Sequence, residues 1–312
     1  MAQVTAEIQR LLKAKDQGIL DGQSAVRGLL AEVQKQILEE LLAVSSESYA
    51  AYHLRQNLAS IERHLQSFES AAGRELGGLV GAAWEAGEDL VLGAGRVSGL
   101  YTGFGHVSTD LLQTLQEYSV HKIRGLSAAA FDKIRAELSL GILGQKTPHQ
   151  VTQAIAGTLR SPGVFKSIAE RAEVITQVEM GRAASQATQL SMDQAAASVP
   201  DLQKQWWHAG HPKRPRRNHL ALHGQIQPVD RPFMIGSLII RFPRDPKAPA
   251  SEVIRCGCEH VPWHESWGRD GALPIFNERG EVIAMRGPRT GREASLVGKF
   301  AQGQIGRKGG QG

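Results

Sequence analysis

Histidine and cysteine, the side chains that most often bind metals or transfer protons, are concentrated in one short stretch of the sequence. The whole chain of 312 residues contains 11 His and two Cys, and both cysteines and five of the histidines fall between residues 211 and 264. Imidazole nitrogen and thiolate sulfur are the usual ligands of zinc. The stretch therefore indicates a metal site or a site of proton transfer. Its members are His211, His219, His223, Cys256, Cys258, His260 and His264.

Two pairs within this set have the spacing of metal ligands. His219 and His223 are four residues apart, so on a helix they would share one face. Cys256 and Cys258 are two residues apart, so on an extended strand both thiols would lie on one side. Together the pairs predict a tetrahedral Cys2His2 site for a structural zinc ion. The alternative is that both cysteines pack as small apolar groups without a metal.

The same residues could instead support hydrolysis. A metal-bound water would attack a phosphodiester, with His219 or His223 as the base. The sequence has no carboxylate cluster for two Mg²⁺ ions, and G-x-S-x-G, P-loop and H-E-x-x-H motifs are absent. We therefore expect no enzymatic activity and keep a metal-dependent nuclease or toxin-like enzyme as the alternative hypothesis.

Positive charge is concentrated in the last third of the chain. Residues 1–200 contain 18 basic and 21 acidic residues, a net of −3, whereas residues 201–312 contain 18 and 10, a net of +8. One set of basic residues lies between Gln203 and Asp230, an interval that contains no acidic residue. We predict that this set binds DNA phosphates without reading sequence, and the alternative is a solvated loop. Its members are Lys204, Lys213, Arg214, Arg216 and Arg217.

Long helices are predicted ahead of this region. Apolar residues at three- and four-residue spacing in residues 1–72 predict a helical hairpin or coiled coil. Glycines spaced by four in residues 73–105 favour either a hinge or close helix packing between subunits. A helical segment is predicted over 106–160, and the spacing of Thr147 and Gln150 predicts a capping box within it.

The C-terminal third has a different composition. Most of the 13 prolines follow residue 199, and short apolar runs such as 237–242 predict strands. After a long helix over about 164–197, residues 161–268 are predicted to form a small, Pro-rich domain. Residues 269–312 have few apolar anchors and predict a basic, largely disordered tail. The predicted fold class is α+β, with a long helical N-terminal part and short strands near the C-terminus.

Composition excludes several other classes of protein. A chain of 312 residues suits about two domains. It has no run near the roughly 18 apolar residues of a membrane-spanning helix. Its N-terminus lacks the basic and then apolar layout of a signal peptide. Two cysteines cannot form a disulfide framework, so synthesis in a reducing cytoplasm is expected.

Several short motifs follow one another in a fixed order over residues 160–262. Together they resemble the phage Mu F-like minor head protein family, also called the phage head morphogenesis family. That family usually has arginine where Gly257 stands here, and an acidic residue before its arginine–histidine motif. In order, the motifs are Thr176-x-x-Glu179-x-x-Arg182, Trp206-Trp207, Arg217-x-His219-x-x-x-His223-Gly224, Pro232-Phe233, Phe242-Pro243-x-Asp245-Pro246, Pro249-Ala250 and Ile254-Arg255-Cys256-Gly257-Cys258.

The resemblance implies a minor capsid component of a tailed-phage virion, present in several copies near the portal vertex. Its expected partners are the portal protein, the major capsid or scaffolding protein, and double-stranded DNA bound without sequence specificity. Its expected role is head assembly and DNA packaging or ejection. The helical N-terminal part offers an apolar stripe for docking on an oligomeric partner. The basic C-terminal part offers phosphate contacts.

Overall fold

The computed structural model describes most of the chain between residues 2 and 286. It is mostly helical, with strands confined to the region after residue 202, which confirms the predicted α+β class. The described residues are 2–43, 51–101, 109–142, 146–147, 150–151, 154–155, 164–208, 216–235, 238–267, 273–276 and 282–286.

Four long helices form the N-terminal two thirds of the chain. Their bounds are Ala2–Ala43 (α1), Ala51–Ser98 (α2), Thr109–Ile142 (α3) and Val164–Ser198 (α4). Buried residues recur along α1 at three- and four-residue intervals, as the sequence predicts. Burial of this apolar stripe is what stabilises helices of such length in water.

The glycine-rich segment is helical rather than a hinge. Helix α2 continues without interruption through residues 73–98, which corrects the predicted hinge. Gly87 shows why glycine is present, because a Cβ placed there would overlap the carbonyl oxygen of Ala184 on α4. Thr188 Oγ1 also donates a hydrogen bond to the carbonyl oxygen of Gly87 at 3.1 Å. At Gly87, which lies outside the four-residue glycine repeats, close helix packing therefore occurs within one chain.

Replacing Gly87 with alanine tests this packing. We predict that Gly87→Ala destabilises the protein by about 1–3 kcal/mol, because the added methyl group meets backbone that cannot move aside. Gly78→Ala in the same helix is the matched control, since its Cβ would meet nothing within 4 Å. That change is expected to stabilise the helix by roughly 0.5–1 kcal/mol. Urea unfolding followed by circular dichroism measures both, and equal effects would contradict the close approach.

The chain divides into two compact units, each built from several segments. The sheet unit contains residues 1–17, 81–112 and 180–312, and the helical unit contains 18–80 and 113–179. The predicted boundaries after residues 72 and 160 both fall inside the helical unit. In that unit the predicted capping box is confirmed: the amide of Thr147 donates to Gln150 Oε1 at 2.8 Å, and the amide of Gln150 donates to Thr147 Oγ1 at 3.2 Å.

A small antiparallel sheet forms the centre of the sheet unit. Its strands are Gln203–His208 (β1), Ile226–Pro228 (β2) and Cys258–Trp263 (β5), in the order β2-β1-β5. A separate pair, Phe233–Ile235 (β3) and Leu238–Ile240 (β4), is also antiparallel. The described part of this region also contains two short helices and a 3-10 turn: Arg217–Leu222 (α5), Ala250–Val253 (α6) and Glu265–Trp267.

Strand β1 separates two cores because its side chains alternate between the sheet faces. Trp207 lies opposite Glu259 and packs against the cluster that contains Val261 and buried residues of α1, α2 and α4. Trp206 lies on the other face, opposite His260, and belongs to a cluster with Phe233 and both cysteines. The two adjacent tryptophans thus hold the sheet between the helices and the cysteine-containing core.

Part of the predicted disordered tail forms strands. Leu273–Phe276 (β6) and Val282–Arg286 (β7) pair antiparallel, which corrects the prediction for these residues. Their runs of branched apolar residues favour extended structure. The remainder of 269–312 lies outside the described residues. Within the described ranges, no helix is long and apolar enough to cross a membrane.

Candidate metal centre

One histidine and the two cysteines converge on a single buried point in the sheet unit. His219 Nδ1 lies 3.4 Å from Cys256 Sγ and 3.5 Å from Cys258 Sγ. The ligand atoms of all three residues lie within 4.8 Å of one another. The three residues are 3%, 1% and 2% exposed, respectively. This group could hold a metal ion, as the sequence predicts for these three residues.

Local backbone geometry brings these residues together. Helix α5 is only six residues long and presents His219 toward the sheet. Arg255 has a positive φ of 56°, and this left-handed turn precedes Cys256. Cys258 then begins strand β5. Their spacing predicts that both cysteines lie on one regular strand. In the structure, Cys256 instead follows a turn and Cys258 begins the strand after it.

A carboxylate holds the imidazole from its other side. His219 Nε2 lies 2.8 Å from Glu252 Oε2, and Glu252 also accepts a hydrogen bond from Asn218 Nδ2 at 3.0 Å. An acidic partner on the second ring nitrogen fixes the tautomer and orientation of a metal-binding histidine. It leaves Nδ1 unprotonated and directed at the thiols, which is the form that can bind a metal.

The two thiols have opposite proton affinities. The pKa of Cys256 lies well below its ordinary value, chiefly because Cys258 hydrogen-bonds to it, with further lowering by His219 and the Arg244 guanidinium. Burial raises the pKa of Cys258 well above its ordinary value, and the neighbouring Cys256 raises it further. The two thiols therefore differ in how readily each loses its proton, and a bound cation would favour loss of the proton from both.

His223, the predicted fourth ligand, lies outside this group. Helix α5 ends at Leu222, and His223 has φ −53° and ψ 124°, followed by Gly224 at φ 81°. The four-residue spacing therefore does not place His223 on the helical face of His219. Its Nδ1 instead accepts the backbone N–H of His208 at 2.9 Å. His223 thus ties the end of β1 to the turn after α5, which corrects the predicted ligand set.

A buried ionic network supports the cysteine turn and is not predicted by the sequence pattern. Arg244 donates to the carbonyl oxygen of Cys256 at 2.9 Å and to Glu259 Oε1 at 2.5 Å. Lys15 of α1 binds the same Glu259 oxygen. Gly181 leaves room for this arrangement, since a Cβ there would lie 2.6 Å from Arg244 Nε. The sequence does contain one sign of this network, because Lys15 is a charged residue within the apolar stripe of α1.

The remaining histidines of the stretch serve other contacts. His260 is buried and stacks on Phe242, with 5.7 Å between ring centroids. Burial lowers its pKa well below the ordinary value, and the nearby cation of Lys204 lowers it further, so the ring is neutral. His264 Nδ1 contacts Ser266 Oγ at 2.7 Å. His211 lies outside the described residues.

The predicted basic set is divided by the structure. Lys204 is 1% exposed, and its Nζ donates to Gln189 Oε1 at 2.9 Å and to the carbonyl oxygen of Arg241 at 2.8 Å. Such a buried ammonium group cannot reach a phosphate, which corrects its assignment. Arg217 is exposed, and Arg216 Nη2 donates to the carbonyl oxygen of Ile254 at 2.6 Å. Lys213 and Arg214 lie outside the described residues and stay predictions.

Lys204 should make stability depend on pH. Burial lowers its pKa from 10.5 to about 8. The unfolded chain therefore binds this proton more tightly, and stability rises as pH increases from about 8 to about 10.5. A full passage corresponds to roughly 3 kcal/mol. We predict that Lys204→Met lacks this rise, which urea unfolding at pH 7.5 and pH 10 would measure. Parallel profiles for the two proteins would contradict the assignment.

Comparison with other proteins gives a partial similarity. No protein-family model matches the chain. No solved structure matches it either. The protein described as "Uncharacterized protein YqbB" of Bacillus subtilis (strain 168) is 38% identical to it over 109 residues. Those residues make up 34% of this chain and 34% of the relative. The chain therefore spans about a third of the length of the relative that it matches.

Proposed function

We propose that the chain is a minor capsid protein of a tailed phage that acts at the portal vertex in head assembly and DNA packaging or ejection. One observation carries the proposal: motifs that are far apart in the sequence and that resemble those of the Mu F-like family meet around one buried centre. His219 comes from the arginine–histidine motif, and both thiols come from the terminal motif. Convergence of this kind supports a common domain with a common structural core.

A third family motif supports the same centre. In Phe242-Pro243-x-Asp245-Pro246, Asp245 Oδ2 accepts the backbone N–H of Arg241 at 3.1 Å, and Oδ1 accepts that of Lys247 at 2.9 Å. This tight turn holds Arg244 at a positive φ of 63°. Its guanidinium is thereby directed inward to the carbonyl oxygen of Cys256. The motif thus supports the cysteine turn from behind.

We further propose that the metal is zinc in a structural role. Two thiolates and an imidazole are a donor set that favours zinc over the oxygen-preferring Mg²⁺ and Ca²⁺. In a tetrahedral zinc site the distance between a sulfur and a nitrogen ligand is about 3.5 Å, from bond lengths of about 2.3 and 2.0–2.1 Å. The two observed N···S distances, 3.4 and 3.5 Å, agree with that value.

The surroundings of the centre favour a structural role over the hydrolase alternative. A catalytic zinc keeps one position open to water and substrate, whereas structural sites are closed. Here all three residues are buried. Both nitrogens of His219 are also engaged, one with the thiols and the other with Glu252. A histidine held in this way is poorly placed to accept a proton from an attacking water.

The basic residues of the predicted set other than Lys204 would supply DNA binding. We predict that replacing Lys213, Arg214, Arg216 and Arg217 with alanine weakens binding to double-stranded DNA of any sequence. It should also reduce the slope of log affinity against log salt by about 0.9 for each phosphate that the variant no longer binds. Fluorescence anisotropy with labelled DNA at several salt concentrations measures both quantities. Affinity and slope equal to those of the wild type would contradict the proposed DNA binding.

Two controls sharpen this test. The first control replaces the exposed residues Lys13, Lys35, Arg63 and Arg74 with alanine, which changes the net charge by the same amount. If the DNA-binding surface is local, this variant should keep the salt slope of the wild type. Lys204→Met should also keep wild-type binding, because its ammonium group is buried.

The hydrolase alternative is tested by incubating the protein with DNA and RNA in the presence of Mg²⁺, Mn²⁺ or Zn²⁺. Cleavage that disappears in His219→Ala would favour the hydrolase.

Association with the portal is the partner interaction that the proposal requires. The full chain, co-expressed with the portal protein encoded in the same genome, is expected to sediment with portal oligomers in a density gradient. A portal-free fraction containing all of the chain, with the portal itself assembled, would count against a role at the vertex.

A further inference from the structure

We propose that His208 supplies the fourth ligand and closes the metal centre as a Cys2His2 site. The inference rests on the zinc centre proposed above and names the residue that completes it. His208 is the last residue of β1 and lies directly opposite Cys258 in the sheet register. Residues directly opposite each other in an antiparallel pair have their side chains on the same face. His208 therefore faces the same core as Cys258.

The distances single out this side chain. His208 Nδ1 lies 3.4 Å from Cys258 Sγ, the same as the distance between His219 Nδ1 and Cys256 Sγ. That separation matches the edge of a zinc tetrahedron, about 3.5 Å. His208 is 1% exposed, so it approaches the centre from within the core. His208 lies beside one of the three grouped residues, Cys258, but outside the group itself, so its ring would have to turn toward His219 and Cys256 when a metal binds.

The neighbouring alternatives are already engaged. His223 Nδ1 accepts the backbone N–H of His208, so His223 positions the end of the strand that carries the proposed ligand. Glu252 is bound to the outer nitrogen of His219. Closure by His208 would join three elements that are distant in the chain: strand β1, helix α5 and the turn that precedes β5. The class of ligand is a tetrahedral divalent ion of the zinc type.

Cobalt substitution of the full-length chain tests this assignment, because Co²⁺ reports both coordination geometry and the number of thiolates. His208→Cys is expected to keep tetrahedral cobalt and to raise the sulfur-to-cobalt charge-transfer band in proportion to three thiolates rather than two. His223→Cys, the matched control, should leave that band unchanged. His208→Ala should weaken Co²⁺ affinity by at least about 100-fold, since even outer-sphere partners contribute about 10–100-fold.

The outcomes distinguish the inference from the proposal beneath it. A stronger band in His223→Cys but not in His208→Cys would overturn the assignment in favour of His223. Cobalt bound equally well by the wild type and His208→Ala would show a three-residue site with an outside ligand, and would overturn closure while the metal centre stands. A folded wild-type protein that binds neither Co²⁺ nor Zn²⁺ would overturn both. The gain of signal in His208→Cys does not depend on the alanine variant folding.

Discussion

Glu259→Gln is expected to destabilise the sheet unit by about 3–5 kcal/mol, because the change leaves the Arg244 guanidinium without its buried counter-charge and leaves Lys15 with the partly exposed Asp16 as its counter-charge. Arg244 and Lys15 both bind Glu259, and the three side chains are 3%, 4% and 5% exposed in the order Arg244, Lys15, Glu259. Removing one partner of a buried ion pair is far more harmful than removing a surface pair. The amide of glutamine keeps the shape but not the charge.

Tryptophan fluorescence gives a selective readout for this prediction. All five tryptophans, at positions 84, 206, 207, 263 and 267, lie in the sheet unit, so urea unfolding followed by their emission reports on that unit alone. Glu7→Gln is the matched control: it removes a pair with Arg10, whose side chain is 63% exposed, and should leave the free energy of unfolding nearly unchanged because water screens the pair. Equal effects of the two variants would contradict a buried network.

A double-mutant cycle identifies the pair responsible. Lys15→Met removes one of the two cations, so Glu259→Gln should be less destabilising in that background than in the wild type. The difference is expected to be about 0.5–3 kcal/mol, the range for residues in one network. Strict additivity would show that the Lys15–Glu259 ion pair does not contribute to stability.

Removal of the proposed zinc is expected to lower the melting temperature of the sheet unit by roughly 10 °C or more. A structural metal bound only by the folded state contributes its binding free energy to stability. Each kcal/mol of lost stability lowers the melting temperature by about 2–4 °C in a protein of this size, so a loss of several kcal/mol gives the expected shift. Trp206 reports the change directly, since its ring is 5.6 Å from that of His219.

The matched control for metal removal is the double variant Cys256→Ser/Cys258→Ser. It should melt near the temperature of the chelated wild type, and chelator should not lower its melting temperature further. Elemental analysis should find about one zinc ion in each wild-type chain and none in the variant. Metal-free wild-type protein with a melting curve that chelator leaves unchanged would support the packing of two free thiols instead.

The helices could be predicted because their information is local. Apolar spacing of three and four residues indicates α1 to α4, and the paired bonds of Thr147 and Gln150 follow from a motif of four residues. The hinge interpretation of the glycine-rich segment was wrong for residues 73–98. Whether glycine loosens a helix or admits a neighbour depends on what lies opposite, and for Gly87 the neighbour, Ala184, is almost 100 residues away in sequence.

The candidate site was only partly predictable for the same reason. Ligand chemistry identified His219, Cys256 and Cys258, because sulfur and imidazole are scarce and clustered in this sequence. His223 was misplaced because the spacing rule assumes a helix that continues, and α5 ends one residue earlier. His208 could not be identified from its spacing, since its approach to Cys258 depends on the pairing of β1 with β5, across 50 residues of chain.

Charge was the least predictable property. Lys204 belongs to the basic set by sequence, but the fold buries its ammonium group against Gln189 and the carbonyl oxygen of Arg241. Lys15 and Arg244 are likewise buried rather than solvated. A count of charges in sequence does not separate ions that face water from ions that pair internally, because that depends on tertiary contacts.

The most direct test of the central claim is quantitative mass spectrometry of phage particles purified from a lysate of cells that carry this gene, before and after triggered DNA release. We expect the chain in DNA-filled particles at a fixed, low number of copies relative to the portal and the major capsid protein. Loss on release would indicate ejection with the genome, and retention would indicate a fixture of the vertex. Absence from DNA-filled particles would contradict the proposal that this chain is a minor capsid component.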